Sequence, residues 1–368
     1  MKDRPDIAIL LDHFGPGGVE RVACHLANGL QRRGFRVEVV VLDDGGPVRD
    51  MLDPGVSVSR LAAPSSTRRS RRLKAAVPAL AAYLRRQSPR VFHSPGNHTN
   101  RPAAMAVSLA GFTGAFVPKV TNPLEKERGT RLRAMLRQAA FGWALAKARV
   151  VLTLSPSAAE RIAELDRRLG SRTQVVHNPY VSEAMIHNAA NRNPVDPPII
   201  LAIGRLSEQK NHALLIRAAA RLRDRRWRLR ICGSGPEEEA LRALASELGI
   251  GDRLELPGFV DDPVPEYLQA TVMALSSRWE GLPATLLEAI ACGCPVVSTA
   301  SSPGLVELLR DLGARDPVGL DDEAGLAAAL EAALDGALPV VPTTGVLPYS
   351  IDAACDEHAA LFAELMAA

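Results

Sequence analysis

The stretch "SSRWEGLPATLLEAIACGCPVVST", residues 276–299, decides how this chain folds. Pro283 suits the first position of a helix, where its missing N–H costs nothing. "EGLP" therefore reads as a loop and "ATLLEAIACG" as a helix ending at Gly293. "PVVST" (295–299) reads as a strand, as does "VMALSS" (272–277) ahead of the loop. Strand, helix, strand with uniformly apolar strands is the pattern of a parallel sheet covered on both faces. Two carboxylates disturb it: Glu280 at the mouth of the loop and Glu288 inside the apolar helix.

The same alternation runs outward in both directions. "IILAIG" (199–204), "LRICG" (229–233) and "RLELPGF" (253–259) are further strands, with helices predicted over 212–223, 237–248 and, briefly, 264–270. Nearer the start, "IAILL" (7–11) leads into the glycine-rich "HFGPGGVE" (13–20), a helix bearing Val22, Leu26 and Leu30, and the strand "RVEVVVL" (36–42). "RVFHS" (90–94), "AFVPKVT" (115–121) and "RVVLTLS" (149–155) continue the series. At 368 residues the chain is too long for one ordinary core. The aperiodic "NAANRNPVDPP" (188–198) reads as a linker between two doubly wound domains, 1–187 and 199–349. The remaining 350–368 reads as a terminal helix able to pack back on the first domain. Ligands of such sheets bind beyond the carboxyl ends of the strands, so two domains would face each other across a cleft.

Composition excludes several classes. Hydrophobic residues make up 47% and aromatics 4%, so the cores are aliphatic. No run of about twenty apolar residues exists, and "MKDRPDIAILLDHFG" resembles neither a signal peptide nor a membrane span, which suggests a cytoplasmic protein. Cys292 and Cys294 lack a second pair, so the five cysteines read as small apolar residues. Residues 1–190 carry 29 Lys/Arg against 15 Asp/Glu, and residues 191–368 carry 15 against 26. This division suggests different partners for the two halves.

The loops carry the chemistry. The helix after "EGLP" offers free N–H groups and a positive dipole end to an anion. Glu288 lies about one and a half turns in, leaning back toward that end. "IGRLSEQKNH" (203–212) places Arg205 after one strand and Lys210 before the next helix, two cations framing a strand-end crevice that suits a diphosphate. "CGSGPEEE" (232–239) has Glu238 where a dinucleotide fingerprint needs its third glycine.

"GRLSEQKN", "GSGPE", "LPGFVDD" and the opening stretch, in this order and spacing, resemble the nucleotide-sugar half of family 4 glycosyltransferases, group 1, from Ile199 to Gly336. The two glutamates separated by seven residues are intact, and "GPGGVER" (15–21) resembles the family's first loop. The resemblance implies the GT-B architecture of two Rossmann-like domains. It also implies a retaining, metal-independent transfer of a sugar, of hexosyltransferase type, from a nucleoside diphosphate to a hydroxyl of a glycan or lipid-linked acceptor. Arg205 and Lys210 would neutralise the diphosphate, Glu280 would hold sugar hydroxyls and Glu288 the ribose. Gly281, Leu282 and Pro283 would line the sugar and phosphate pocket, with Gly258, Phe259 and Val260 bordering the base. Gly17 and Gly18 would approach from the first domain. Neither a metal, another cofactor nor nucleic acid is expected.

The acceptor side departs from the family pattern. In "FHSPGNHTN" (92–100) Pro95 stands where relatives carry the second histidine of His-x-His, leaving His93, Asn97, His98 and Asn100 as candidates or as an ordinary polar loop. The stretch 65–90 reads as an amphipathic helix with Leu73, Val77, Leu80, Ala81 and Leu84 on one side. Its Arg68, Arg69, Arg71 and Arg72 face either solvent or an anionic membrane surface. Two other readings share the layout: a sugar-nucleotide 2-epimerase, which should lack the paired glutamates, and a non-catalytic nucleotide-sugar-binding protein, which had no need to keep Arg205, Lys210 and Glu288.

Overall fold

The computed structural model describes residues 4–62, 68–122 and 131–368, with 131–133 as backbone alone. They form two α/β units, Met1–Pro179 with Ile351–Ala368, and Tyr180–Ser350. In the first unit, seven parallel strands follow the chain as β1 (Ile7–Leu11), β2 (Val37–Val41), β3 (Ser57–Arg60), β4 (Val91–Ser94), β5 (Ala115–Val120), β6 (Val151–Thr153) and β7 (Thr173–Val175). Their order across the sheet is β3-β2-β1-β4-β5-β6-β7. Central strands are apolar on both faces because both are covered: Ala8 and Leu10 join one core, Ile7, Ile9 and Leu11 the other. β3 and β7 lie at the edges and are half exposed, so they lack the apolar run that reveals the others.

The second unit has β8 (Ile199–Ile203), β9 (Arg228–Cys232), β10 (Leu254–Gly258), β11 (Val272–Leu275) and β12 (Val296–Ser298), ordered β10-β9-β8-β11-β12. In both sheets the order reverses once, between β1 and β4 and between β8 and β11. Loops leaving such neighbouring strands diverge to opposite faces and open a crevice.

Two boundaries differ from the sequence reading. Segment 188–198 is no linker but part of the second unit. Its prolines leave backbone and side-chain donors outside any regular helix, and it satisfies them on the strand entrance: Arg192 donates to Ala270 O (2.7 Å) and Thr271 O (3.1 Å). The units instead divide at Pro179/Tyr180 and Ser350/Ile351, where the N–H groups of Tyr180 and Val181 both donate to Tyr349 O. The terminal helix Ile351–Ala367 belongs to the first unit, with Cys355 and Phe362 in the core that holds Ile9 and Leu26. The segment predicted as one helix over 65–90 is two, Arg69–Ala75 and Val77–Gln87, because Pro78 can open a helix but not continue one. Residues 65–67 lie outside the described residues. Among the described residues, no helix is long and apolar enough to cross a membrane.

Candidate active site

In the second unit the loops after β8 and β11 meet at the reversal point. Lys210 donates to Glu280 Oε1 at 2.6 Å, and Ser277 Oγ donates to the same oxygen at 2.8 Å. Hydrogen bonds to backbone carbonyls stitch the loops together: Arg278 N to Gln209 O (2.8 Å), Gln209 Nε2 to Trp279 O (2.9 Å) and Ser276 Oγ to Lys210 O (3.0 Å). Close approach beneath them requires Gly233, where a Cβ would stand 2.0 Å from Gly204 O. Arg205 is exposed at the rim of the same loop. The pair Lys210–Glu280 is therefore a rigid, mostly dehydrated ion pair at the mouth of the crevice.

The carbonyls of "EGLP" are held from outside. Ser302 Oγ donates to Gly281 O (3.0 Å) and Tyr180 OH to Leu282 O (3.0 Å). Pro283 is extended (ψ 116°) and stands at the N-cap rather than inside the helix, which runs Ala284–Ala291 and stops before Gly293, left-handed at φ 71°. No side chain caps its N-terminus, and Thr285 Oγ1 is buried there without a hydrogen-bond partner. The N–H groups of Ala284 and Thr285 consequently retain their capacity for an anion, while that of Leu286 turns to Pro283 O. Glu288 is buried in this helix, and Tyr267 OH donates to its Oε2 at 2.9 Å. That hydroxyl makes a carboxylate tolerable among Leu286, Leu287 and Ile290. Gly258, left-handed at φ 86°, ends β10, two strands along the sheet from β8, and half-exposed Phe259 and Val260 follow it.

The reversal point of the first unit is also charged. Asp12 is fully buried at the end of β1 and accepts from Arg69 Nε (3.1 Å) and twice from Arg72 (2.8 and 2.5 Å). Burial alone would raise the Asp12 pKa, but the two guanidinium groups overcome it and hold the carboxyl below its usual range. Arg69 also donates to buried Glu20 (2.7 Å), whose carboxylate lies so close to Gly17 that a Cβ there would stand 2.3 Å from it. Gly18 opens the helix Gly18–Arg32, with open space around it. This corrects the lipid-facing reading: Arg69 and Arg72 turn inward onto Asp12 and Glu20, leaving Arg68 and Arg71 at the surface.

Of the four acceptor-side candidates, one stands apart. His93 is fully buried, bonded to Val117 O (2.8 Å) and packed on Phe362, with its pKa pushed down to about 3 by burial and then by Lys119. Asn97 bonds to Asn122 O and Thr121 N, while buried Asn100 bonds to Lys119 O and Ser94 Oγ. These three brace the β4 and β5 ends, because an extended strand end leaves carbonyls that amides satisfy well. His98 is partly exposed; among the described residues its Nε2, like that of His93, is buried without a hydrogen-bond partner, and burial, followed by Arg69, pushes its pKa down to about 4. It lies within the field of Asp12, Arg69 and His13.

Sequence reading missed Tyr267, Ser277, Asp12 and Glu20. A tyrosine in a chain with only four, and an acid immediately after a wholly apolar strand, were the available signals. It also missed a buried Lys119, which donates to Asn178 Oδ1 and meets His358 Nε2, each at 2.8 Å. The five cysteines are free and buried, and burial raises the Cys292 and Cys294 thiols to about 12 and 11. They are apolar fillers.

Comparison with known proteins covers both units. Residues 17–179 match the glycosyl transferase 4-like domain, and residues 185–337 match glycosyl transferases group 1. A lipopolysaccharide core biosynthesis glycosyltransferase of Rhizobium meliloti, LpsE, is 27% identical over 87% of this chain and 86% of its own. A Campylobacter jejuni enzyme named as an N-acetylgalactosamine-N,N'-diacetylbacillosaminyl-diphospho-undecaprenol 4-alpha-N-acetylgalactosaminyltransferase is 29% identical. That match covers 58% of this chain and 59% of the relative, so the chain spans little more than half of that enzyme. The structure of a sucrose-phosphate synthase from Thermosynechococcus elongatus shares the fold, with a TM-score of 0.80 at 21% identity over 99% of this chain and all of that one. With both family models matched in order and two parallel-sheet units of the GT-B type, the chain belongs to the family 4, group 1 glycosyltransferases.

Proposed function

We propose that the protein transfers a sugar, with retention, from a nucleoside-diphosphate sugar to a hydroxyl of a lipid-linked or glycan acceptor in cell-surface polysaccharide or glycolipid synthesis. The carrying observation is the Lys210–Glu280 pair at 2.6 Å beside the uncapped start of helix Ala284–Ala291. Departure of a nucleoside diphosphate concentrates negative charge, and fixed positive groups already aimed at it lower the barrier most. Lys210, Arg205 and the N–H groups of Ala284 and Thr285 supply such charge from the protein itself, so the reaction runs without a metal. Glu280 is an acceptor-only group that takes sugar O–H donors, and Glu288, oriented by Tyr267, takes those of the ribose. Backbone around Gly258, Phe259 and Val260 borders the base. In the first unit, partly exposed His98 is the residue assigned to the acceptor, and Gly17 and Gly18 keep their assignment to the donor phosphates.

The names of the two relatives support a lipid or lipopolysaccharide acceptor, and a reaction in the cytoplasm beside the inner face of the membrane is the reading that suits such an acceptor. The test is a thermal-shift panel of UDP-, GDP- and ADP-sugars, followed by turnover with the stabilising donor in excess chelator. Proton NMR of the product should show the donor's anomeric configuration. Inversion of that configuration, or a strict requirement for manganese or magnesium, would refute the mechanism.

A further inference from the structure

We propose that the outer face of helices Asn97–Ala110 and Arg131–Leu145 docks on an anionic lipid bilayer. Ten large hydrophobic side chains are exposed among the described residues, and five lie on these two helices: Met105 (41%), Leu109 (51%), Met135 (65%), Leu136 (62%) and Trp143 (44%). The helices pack side by side on the same face of the sheet, each pressing small residues into one core, Ala103 and Ala106 from the first and Ala144 from the second. Each returns from the carboxyl end of one parallel strand to the start of the next, so they run in the same direction. Met105 and Leu109 are four residues apart, and Leu136, Ala139 and Trp143 follow at intervals of three and four. The apolar stripes therefore lie along the outer surface rather than scattered about it.

Charge selects the occupant. Neither helix contains an Asp or Glu, while Arg101 and Arg137 stand on them and Lys147 and Arg149 just beyond. The Lys147 ammonium sits over the Trp143 ring, 5.6 Å from its centroid. An aromatic with a cation at its side and aliphatic neighbours matches the bilayer interface, where rings lie at headgroup depth and cations meet lipid phosphates. A symmetric contact with a second copy would bring these cations against one another. The face extends the reading of a lipid-linked acceptor, resting on it for its purpose and not for its geometry.

Co-sedimentation of the full chain with phosphatidylcholine vesicles, with and without phosphatidylglycerol, tests it without turnover. Binding should require phosphatidylglycerol and fall with salt. Leu136→Ser with Trp143→Ser should abolish it, and Arg101→Gln with Lys147→Gln should weaken it about thirtyfold, near fivefold per cation. All four positions are exposed, and thermal midpoints should match the wild type. Donor hydrolysis in lipid-free solution should also be unchanged, so a failed transferase reading is seen separately from a failed surface. Equal sedimentation of wild type and variants, or no sedimentation of the wild type, overturns the proposal. So does a dimer lost in the variants while vesicles are ignored, which gives the face to a second copy.

Discussion

Replacing Lys210 by Met separates the structural role of the buried pair from its chemical role. Methionine keeps the stem that packs over Gly204 but deletes the ammonium. Glu280 is then left with Ser277 Oγ as its remaining side-chain donor, on the oxygen that both groups shared. The Lys210 and Glu280 side chains are 18% and 10% exposed, so solvent compensates little. Removing one partner of a buried ion pair costs about 3–5 kcal/mol; the remaining hydroxyl argues for the lower end. A loss of about 3 kcal/mol is large against a domain stability of about 5–15 kcal/mol, yet leaves the unit folded. Adding Glu280→Gln removes the stranded charge, and the double variant should return to within about 1 kcal/mol of wild type. Activity should not return if Lys210 is the cation that meets the leaving diphosphate, as proposed; its absence then costs about 10²–10³ in kcat. Urea unfolding followed by Trp227 and Trp279 fluorescence, in a Trp143→Phe background, reads the second unit. Wild-type turnover by Lys210→Met, or a double variant no more stable than the single, would refute the reasoning.

Tyr267→Phe should raise the donor KM about tenfold, through a loosened Glu288, with kcat little changed, whereas Glu288→Gln should impair donor binding more strongly; equal kinetics of Tyr267→Phe and wild type would remove its orienting role. Acid should open the first unit before the second. His25, His93 and His98 have folded pKa values near 4, 3 and 4 and His358 lies well below its usual value, all led by burial, against His212 alone, near 4, in the second unit. Below pH ~6.5 the unfolded chain binds protons that these folded histidines refuse, so stability falls toward pH ~4 by up to about 1.4 kcal/mol per pH unit per histidine. Hydrogen exchange at pH ~5 should show the earlier opening. Lys119, lowered to about 7 by burial, works at the other end: the first unit should gain stability as pH rises from about 7 to about 10, and Lys119→Met should flatten that rise.

What the sequence made legible follows from how local each signal is. Nearly every central strand was readable because burial on both faces forces an apolar run, while β3 and β7, half exposed at the edges, left none. The loops proposed to hold the donor could be picked out because their residues are contiguous, with Arg205 and Lys210 in one loop and Glu280 and Pro283 in the next. What escaped was long-range. Tyr267 reaches Glu288 across 21 residues, Arg72 reaches Asp12 across 60, and Lys119 reaches His358 across 239. No spacing rule reveals such pairs. On the acceptor side, histidine and asparagine suit strand-end bracing as well as they suit ligands, and burial is what sets His93 and Asn100 apart from His98.

Net charge proved the weakest guide, for a physical reason. The first half is strongly basic, yet at its reversal point Arg69 and Arg72 are already occupied by two buried carboxylates. The second half is strongly acidic, yet at its reversal point Lys210 is held on Glu280 just ahead of an uncapped helix start, with Arg205 exposed in the same loop as Lys210. Charges spread over a surface are screened beyond about 8 Å at physiological salt, whereas groups within a few ångströms of a dehydrated ligand act almost unscreened. An anionic donor therefore responds to those local groups and not to the acids scattered over the rest of the unit. On this reasoning, neutralising surface acids remote from Glu280, such as Glu331 and Asp335, which pair with Arg225 ahead of β9, should leave donor affinity within about twofold at physiological salt. A gain of tenfold or more would mean that the distant field, and not the loop geometry, sets the affinity.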